Sequence, residues 1–181
     1  KLTEICIGIS KNEWNSRETS YGFESHSLST FGEGKIIEHY KSLFEKQIKQ
    51  YNTLQISESK LNALFIKDLE LQDELEYSNL TQEILLFEQE ILTNDQGELI
   101  PNIQEISNQL ISYSVGCMFG RYSLDKPGLI LANQSESLQD FLKQIPSPSF
   151  MPDEDNIVPV LEGKWFNDDI VGRLKVFLKA A

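Results

Sequence analysis

Three groups of residues in this 181-residue chain have the types and spacings that chemistry needs. The first is the stretch SVGCMFGRYSLDKPGL, residues 114–129, in which Gly116 and Gly120 precede Arg121 and Cys117 lies between the glycines. Glycines ahead of a basic residue are how a phosphate loop brings backbone N–H groups to an anion. The pattern here does not fit that loop. Arg121-Tyr122 stands where Lys-Ser/Thr is required, and a helical period rather than a strand precedes it. Cys117 could act as a nucleophile with a base beside it. The two histidines, His26 and His39, have no sequence context that links them to it. Among the small residues at 112, 114, 116 and 120, Cys117 reads as a packed side chain at a close helix contact.

The second group is Pro152-Asp153 followed by Glu162-Gly163-Lys164. This is the loose pattern of many metal-dependent nucleases, in which two carboxylates hold Mg²⁺ and a lysine positions water. It requires both halves on neighbouring strands. Asp153 lies in a proline-rich stretch, PSPSFMPDEDN, and Pro159 interrupts the one candidate strand, IVPVL. The third group is Trp14, Tyr21 and Phe23 with Arg17, which could stack on bases or meet a partner surface. A single cation among three rings favours rings that pin a loop to its own protein. The acidic clusters Asp153–Asp155 and Asp168–Asp169 lack the spaced ligands and glycine of a calcium loop. No catalytic, cofactor-binding or metal-ligating residue is therefore assigned. Gly116, Cys117, Phe119, Gly120, Arg121 and Tyr122 are read as a structural signature, and Trp14, Arg17, Tyr21 and Phe23 as a candidate surface contact.

The elements that must position these residues are mostly helical. Residues 1–30 read as irregular, with a short strand at LTEICIGI and an ordered loop after it. Ile36, Tyr40, Leu43, Phe44, Ile48 and Tyr51 fall on one helical face. NTLQIS then reads as a break, with a second helix from Ser57 or Ser59. A third is expected in LTQEILLFEQEIL, capped by Asn79 or Thr81, before a tight reversal at TNDQGELIPN. A fourth begins near Pro101 and runs toward Phe119. Ser135 or Ser137 caps a short helix, SLQDFLKQI, and Asn167 caps a last one, with Asp168 and Asp169 favoured by its dipole. The expected fold is mainly α: an irregular helical module of about five helices, with long ordered loops and at most minor β. Its parts are an N-terminal segment 1–35, a helical core 36–132, and a proline-rich loop with a C-terminal helix 133–181, together one domain.

Composition narrows the function. Lys and Arg number 16 against 28 Asp and Glu, a net charge of −12. Such a surface repels phosphate, and no run of three basic residues offsets it. Cys6 and Cys117 form neither a CxxC pair nor a ligand cluster, which suits a reduced, cytoplasmic protein. No apolar run is long enough to span a membrane. The chain starts at Lys1 and closes on VFLKAA within a helical pattern, which reads as a piece of a longer polypeptide.

Four segments, in order, carry a resemblance. They are EWNSRETSYGFESHSL (13–28), LNALFIKDLELQDEL (61–75), SVGCMFGRYSLDKPGLILA (114–132) and DEDNIVPVLEGKWFNDDIVGRLKVFL (153–178). Together they resemble blocks of the PglX family of BREX phage-defence DNA adenine methyltransferases, the third block most closely. SYGF and SHSL, at 20–23 and 25–28, depart from the family's SWDF and HPL. The resemblance implies methyl transfer from S-adenosylmethionine to adenine N6 in DNA by the parent protein. The family's Asn-Pro-Pro-Tyr/Phe motif is not in this sequence, so no catalytic role is carried over. The implied role is a non-catalytic helical region that links or positions catalytic and DNA-recognition parts. DNA and S-adenosylmethionine would be engaged by the parent protein. The alternatives are a module that contacts other defence-system subunits, and the metal-dependent nuclease of Asp153, Glu162 and Lys164.

Overall fold

The structure is a computed structural model, and it describes residues 1–30, 34–75, 84–163, 165 and 168–181. These residues form five helices and one two-stranded sheet, the mainly α architecture expected. They group into two compact units: Lys1–Asn15 with Ile36–Ile103, and Ser16–Lys35 with Gln104–Ala181.

The first unit opens with helix α1, Leu2–Asn15. The alternation of Ile5, Ile7 and Ile9 predicts a short strand here, and that reading is corrected. Cys6, Ile9 and Glu13 recur at helical spacing. Cys6 and Ile9 pack on the core and Glu13 is buried, while Ile5 and Ile7 stay exposed. Helix α2, Ile36–Asp68, runs unbroken for 33 residues, about 50 Å at the helical rise. The break expected at residues 52–57 is absent. The segment holds no Pro or Gly, and Tyr51, Leu54 and Ser57 keep the buried stripe in phase. The Thr53 hydroxyl donates to the Lys49 carbonyl one turn back at 2.7 Å, so its polar group is satisfied within the helix.

The third expected helix, across LTQEILLFEQEIL, is also corrected. Its cap candidates Asn79 and Thr81 lie outside the described residues. From 84 onward the chain turns, with Phe87 at φ 58°, and then enters strand β1, Ile91–Thr93. On a helix Leu86 would face away from Ile84, Phe87 and Ile91; the irregular path buries all four. The reversal at Asn94–Gly97 is as expected. Strand β1 pairs antiparallel with β2, Leu99–Pro101, in the register Ile91↔Pro101 and Thr93↔Leu99. The Asn94 side-chain oxygen accepts the amides of Gln96 and Glu98 at 3.0 and 2.8 Å, and Gly97 takes φ 79°. Pro101 closes the strand instead of opening the helix that follows.

The second unit contains a 3₁₀ turn, Ser27–Thr30, and helices α3, Ile103–Met118, α4, Leu138–Gln144, and α5, Ile170–Ala180. Ser137 caps α4, and its amide donates to the Asp140 carboxylate at 3.0 Å. Asp169, rather than Asn167, caps α5, accepting the Gly172 amide at 2.6 Å; Asn167 lies outside the described residues. Residues 157–161, expected as a short edge strand, form none. The Pro159 carbonyl instead accepts the Ile170 amide at 3.0 Å, tying the loop to the first turn of α5.

Candidate functional site

The glycine-bearing stretch from Ser114 begins inside α3 and forms its end. At the C-terminus of α3 the Arg121 amide donates to the Gly116 carbonyl at 2.8 Å and the Gly120 amide to the Cys117 carbonyl at 3.1 Å. This pair of bonds is the Schellman arrangement, with Gly120 at φ 70° as its left-handed residue. The chain reverses there. The next segment returns alongside, with the Ile130 amide on the Arg121 carbonyl at 2.9 Å and the Leu131 amide on the Gly120 carbonyl at 3.2 Å. The reversal lays the Tyr122 ring over Gly116, where a Cβ would stand 2.6 Å from Tyr122 Cδ2. The ring therefore leaves room only for a small residue at position 116.

Around this end lies an aromatic core. Tyr113 stacks on Tyr122 with centroids 5.4 Å apart, and Phe23 meets both edge-on at 5.9 and 5.3 Å. Phe177 of α5 meets Tyr113 at 6.1 Å and Phe150 at 5.5 Å. The Tyr113 hydroxyl donates to the Ser123 carbonyl at 3.1 Å. Burial pushes the Cys117 thiol up to about 12, partly offset by a hydrogen bond with Tyr113, so the nucleophilic thiolate is not formed near neutrality. His26 is buried, and its pKa falls to about 4 through loss of solvation. Its Nδ1 accepts the Leu28 amide at 3.2 Å, which agrees with a neutral ring. Neither residue is set up for catalysis.

One open cleft of about 630 Å³ adjoins this end in the second unit, lined by Glu18, Tyr21, Gly22, Arg121, Tyr122 and Gly128 among others. The Arg121 guanidinium lies 5.5 Å from the Tyr122 ring centroid. The Glu18 carboxylate accepts the Ser112 hydroxyl at 2.7 Å. Burial, with the Glu18 charge, raises the Tyr122 pKa, against the pull of Arg121. The cleft thus combines a cation, a carboxylate and rings.

The other sequence candidates separate. Trp14 belongs to α1 of the first unit and is 61% exposed. In the second unit Tyr21 stands wholly in solvent while Phe23 is a core residue. The Arg17 carbonyl accepts the Ser20 amide at 2.8 Å, forming a turn. Phe119 is partly exposed, 37%. Asp153 and Glu162 lie in a loop without strand structure, and Lys164 is outside the described residues. The Asp153 carboxylate accepts the Ile157 amide at 3.1 Å, a local turn contact. No group of three His, Cys, Asp or Glu side chains able to hold a metal occurs among the described residues. Sequence reasoning missed Asp125, which accepts the Ser149 amide at 2.8 Å across 24 residues and braces the turn after the signature. Nothing local marks a pairing so distant.

The comparisons decide the family. No family model matches the chain. The adenine-specific methyltransferase BrxX of Escherichia coli O9:H4 (strain HS) is 32% identical over 184 residues. The adenine-specific methyltransferase PglX of Lacticaseibacillus casei (strain Zhang) is 30% identical over 189 residues. Both alignments cover 98% of this chain. The chain belongs to the PglX family. It spans 15% of the length of the first relative and 14% of the second. The block of closest resemblance, residues 114–132, covers the end of α3 and the segment that returns alongside it. Of its side chains, Cys117 and Tyr122 are buried and Arg121 faces the cleft.

Proposed function

We propose that this chain is a non-catalytic helical region of a site-specific DNA N6-adenine methyltransferase of a BREX-type phage-defence system. It links or positions the catalytic and DNA-recognition parts. The observation that carries this reading is the alignment of 98% of the chain with only 14–15% of two adenine-specific methyltransferases. Its support in the sequence is that no Asn-Pro-Pro motif is present; in the fold, it is that Gly116, Cys117, Gly120 and Tyr122 are used for packing. S-adenosylmethionine and DNA are engaged by other parts of the parent protein, in the cytoplasm. Among the described residues no helix is long and apolar enough to cross a membrane.

The test is made on the full-length methyltransferase carrying Gly120→Val, which disrupts the end of α3. Calorimetric affinity for S-adenosylmethionine is expected to stay within about twofold, while methylation of the target adenine falls at least tenfold. Loss of cofactor binding in step with methylation would place this region in the cofactor site and end the positioning reading. A second reading, contact with other defence-system subunits, is favoured by the exposed rings of Trp14 and Tyr21. A pull-down of such subunits weakened by Trp14→Ala or Tyr21→Ala, with methylation intact, would select it.

A further inference from the structure

The second unit carries an apolar surface that its own core does not use. Ile157, Val160, Leu161 and Trp165 are 64, 76, 46 and 76% exposed within nine residues. Single exposed apolar side chains are ordinary, but a run of them that includes tryptophan marks a surface made to be covered. The loop is held in place. The Pro159 carbonyl is bonded to the Ile170 amide at the start of α5. Behind it, the Arg173 guanidinium donates to the Met151 carbonyl at 2.7 Å and lies 4.9 Å from the Phe150 ring centroid.

The tryptophan is organised in the same way. Its indole Nε1–H donates to the Glu162 carbonyl at 3.0 Å. The ring reaches over Gly163, which takes φ 91° and whose Cβ, if present, would stand 3.4 Å from Nε1. The one polar group of the side chain is already satisfied, so covering the ring would strand no donor. By sequence the margin is acidic on balance: Asp153, Glu154 and Asp155 precede the strip, and within it Glu162 is joined by one cation, Lys164, which lies outside the described residues. An apolar centre with a charged rim is the make-up of a protein interface.

We infer that the exposed side chains of Ile157, Val160, Leu161 and Trp165 dock against the remainder of the methyltransferase polypeptide, on an apolar surface rimmed by lysine or arginine. Two observations select this occupant. The chain matches only 14–15% of the length of its relatives, so in such a protein most of the neighbouring surface comes from the same polypeptide. The acidic rim calls for a basic counterpart. The inference rests on the functional reading above, in taking the chain to be part of a larger methyltransferase.

The test is thiol footprinting of the full-length protein with Val160→Cys, using N-ethylmaleimide and mass spectrometry of the peptide that contains residue 160. The expected result is labelling at least tenfold slower than in the urea-unfolded protein, at concentrations where sedimentation shows a monomer. Labelling near the unfolded rate would overturn the inference. So would protection that vanishes when a dimer dissociates on dilution, because the occupant would then be a second copy. If the variant fails to fold, hydrogen exchange over residues 157–163 of the unsubstituted protein decides the same question: slow exchange supports docking and free exchange refutes it. Neither readout depends on methylation, so free labelling with cofactor binding unchanged by Gly120→Val would refute the docking and leave the functional reading standing.

Discussion

The two units end a long helix in the same way with different residues. At the end of α2 the Leu71 amide donates to the Ile66 carbonyl at 2.9 Å and the Glu70 amide to the Lys67 carbonyl at 3.3 Å. This is the hydrogen-bond pattern that closes α3, but with Glu70, not glycine, in the left-handed conformation at φ 57°. Glu70 is exposed and carries the backbone strain of that conformation. Gly120 has no such freedom. A Cβ there would lie 2.9 Å from Leu131 Cδ1 and 3.4 Å from Phe141 Cδ2. One end is a turn that tolerates a costly residue, and the other is a turn on which a core has been assembled. A backbone motif therefore does not by itself say how much depends on it; what the next segment packs against does.

The sharpest way to break this comparison is Gly120→Ala. It should destabilise the protein by roughly 2–4 kcal/mol, combining left-handed strain with overpacking. A loss below about 1 kcal/mol in urea denaturation would mean that the end of α3 is no more constrained than that of α2. Gly116→Leu tests the ring that rests on the same helix. With Tyr122 Cδ2 only 2.6 Å from a Cβ at that position, the expected loss is about 2–3 kcal/mol, and a parent-like melting curve would refute the packing role.

Acid should separate the two ends. His26 has its pKa lowered from 6.5 to about 4 by burial, so between those values the unfolded chain binds more protons than the folded one. The stability is present above pH 6.5 and is lost as pH falls toward 4, by roughly 2 kcal/mol between pH 7.5 and 5. The protection factor for hydrogen exchange near Gly120, which divides out the intrinsic pH dependence of exchange, should fall over that range in the parent, and less so in His26→Gln; equal loss of protection in the two proteins would remove His26 as the cause. The smallest effect is expected at the other end. Glu70→Gly should stabilise by about 0.5–1 kcal/mol by relieving the left-handed strain, and a destabilisation in thermal melts would show that Glu70 makes contacts that outweigh it.

Legibility in the sequence followed the range of the interactions. The reversal at Asn94–Gly97 was readable because its bonds join residues four or fewer apart. The Ser137 cap was readable for the same reason. The continuity of α2 was not, since NTLQIS has weak local helical preference and only the buried positions of Leu54 and Ser57 carry the helix through. The strand expected in place of α1 has a similar origin, because Ile5, Ile7 and Ile9 alternate while the inward face is Cys6, Ile9 and Glu13. At the candidate site, the reading of Gly116 and Cys117 as packing residues is consistent with the ring over Gly116 and the burial of Cys117. The opposite fates of Tyr21 and Phe23, two residues apart, could not be told from aromatic type alone.

By itself the sequence determined the helical character, the acidic surface and the resemblance to PglX, because composition, period and motif order are written in the chain. Only the tertiary structure decided which glycines are closely packed and which aromatic ring is buried. It also decided which apolar run is left facing outward. Those outcomes depend on atoms brought together from distant positions, as Gly120 is with Leu131 and Phe141, and close packing of that kind leaves no local signal in the chain.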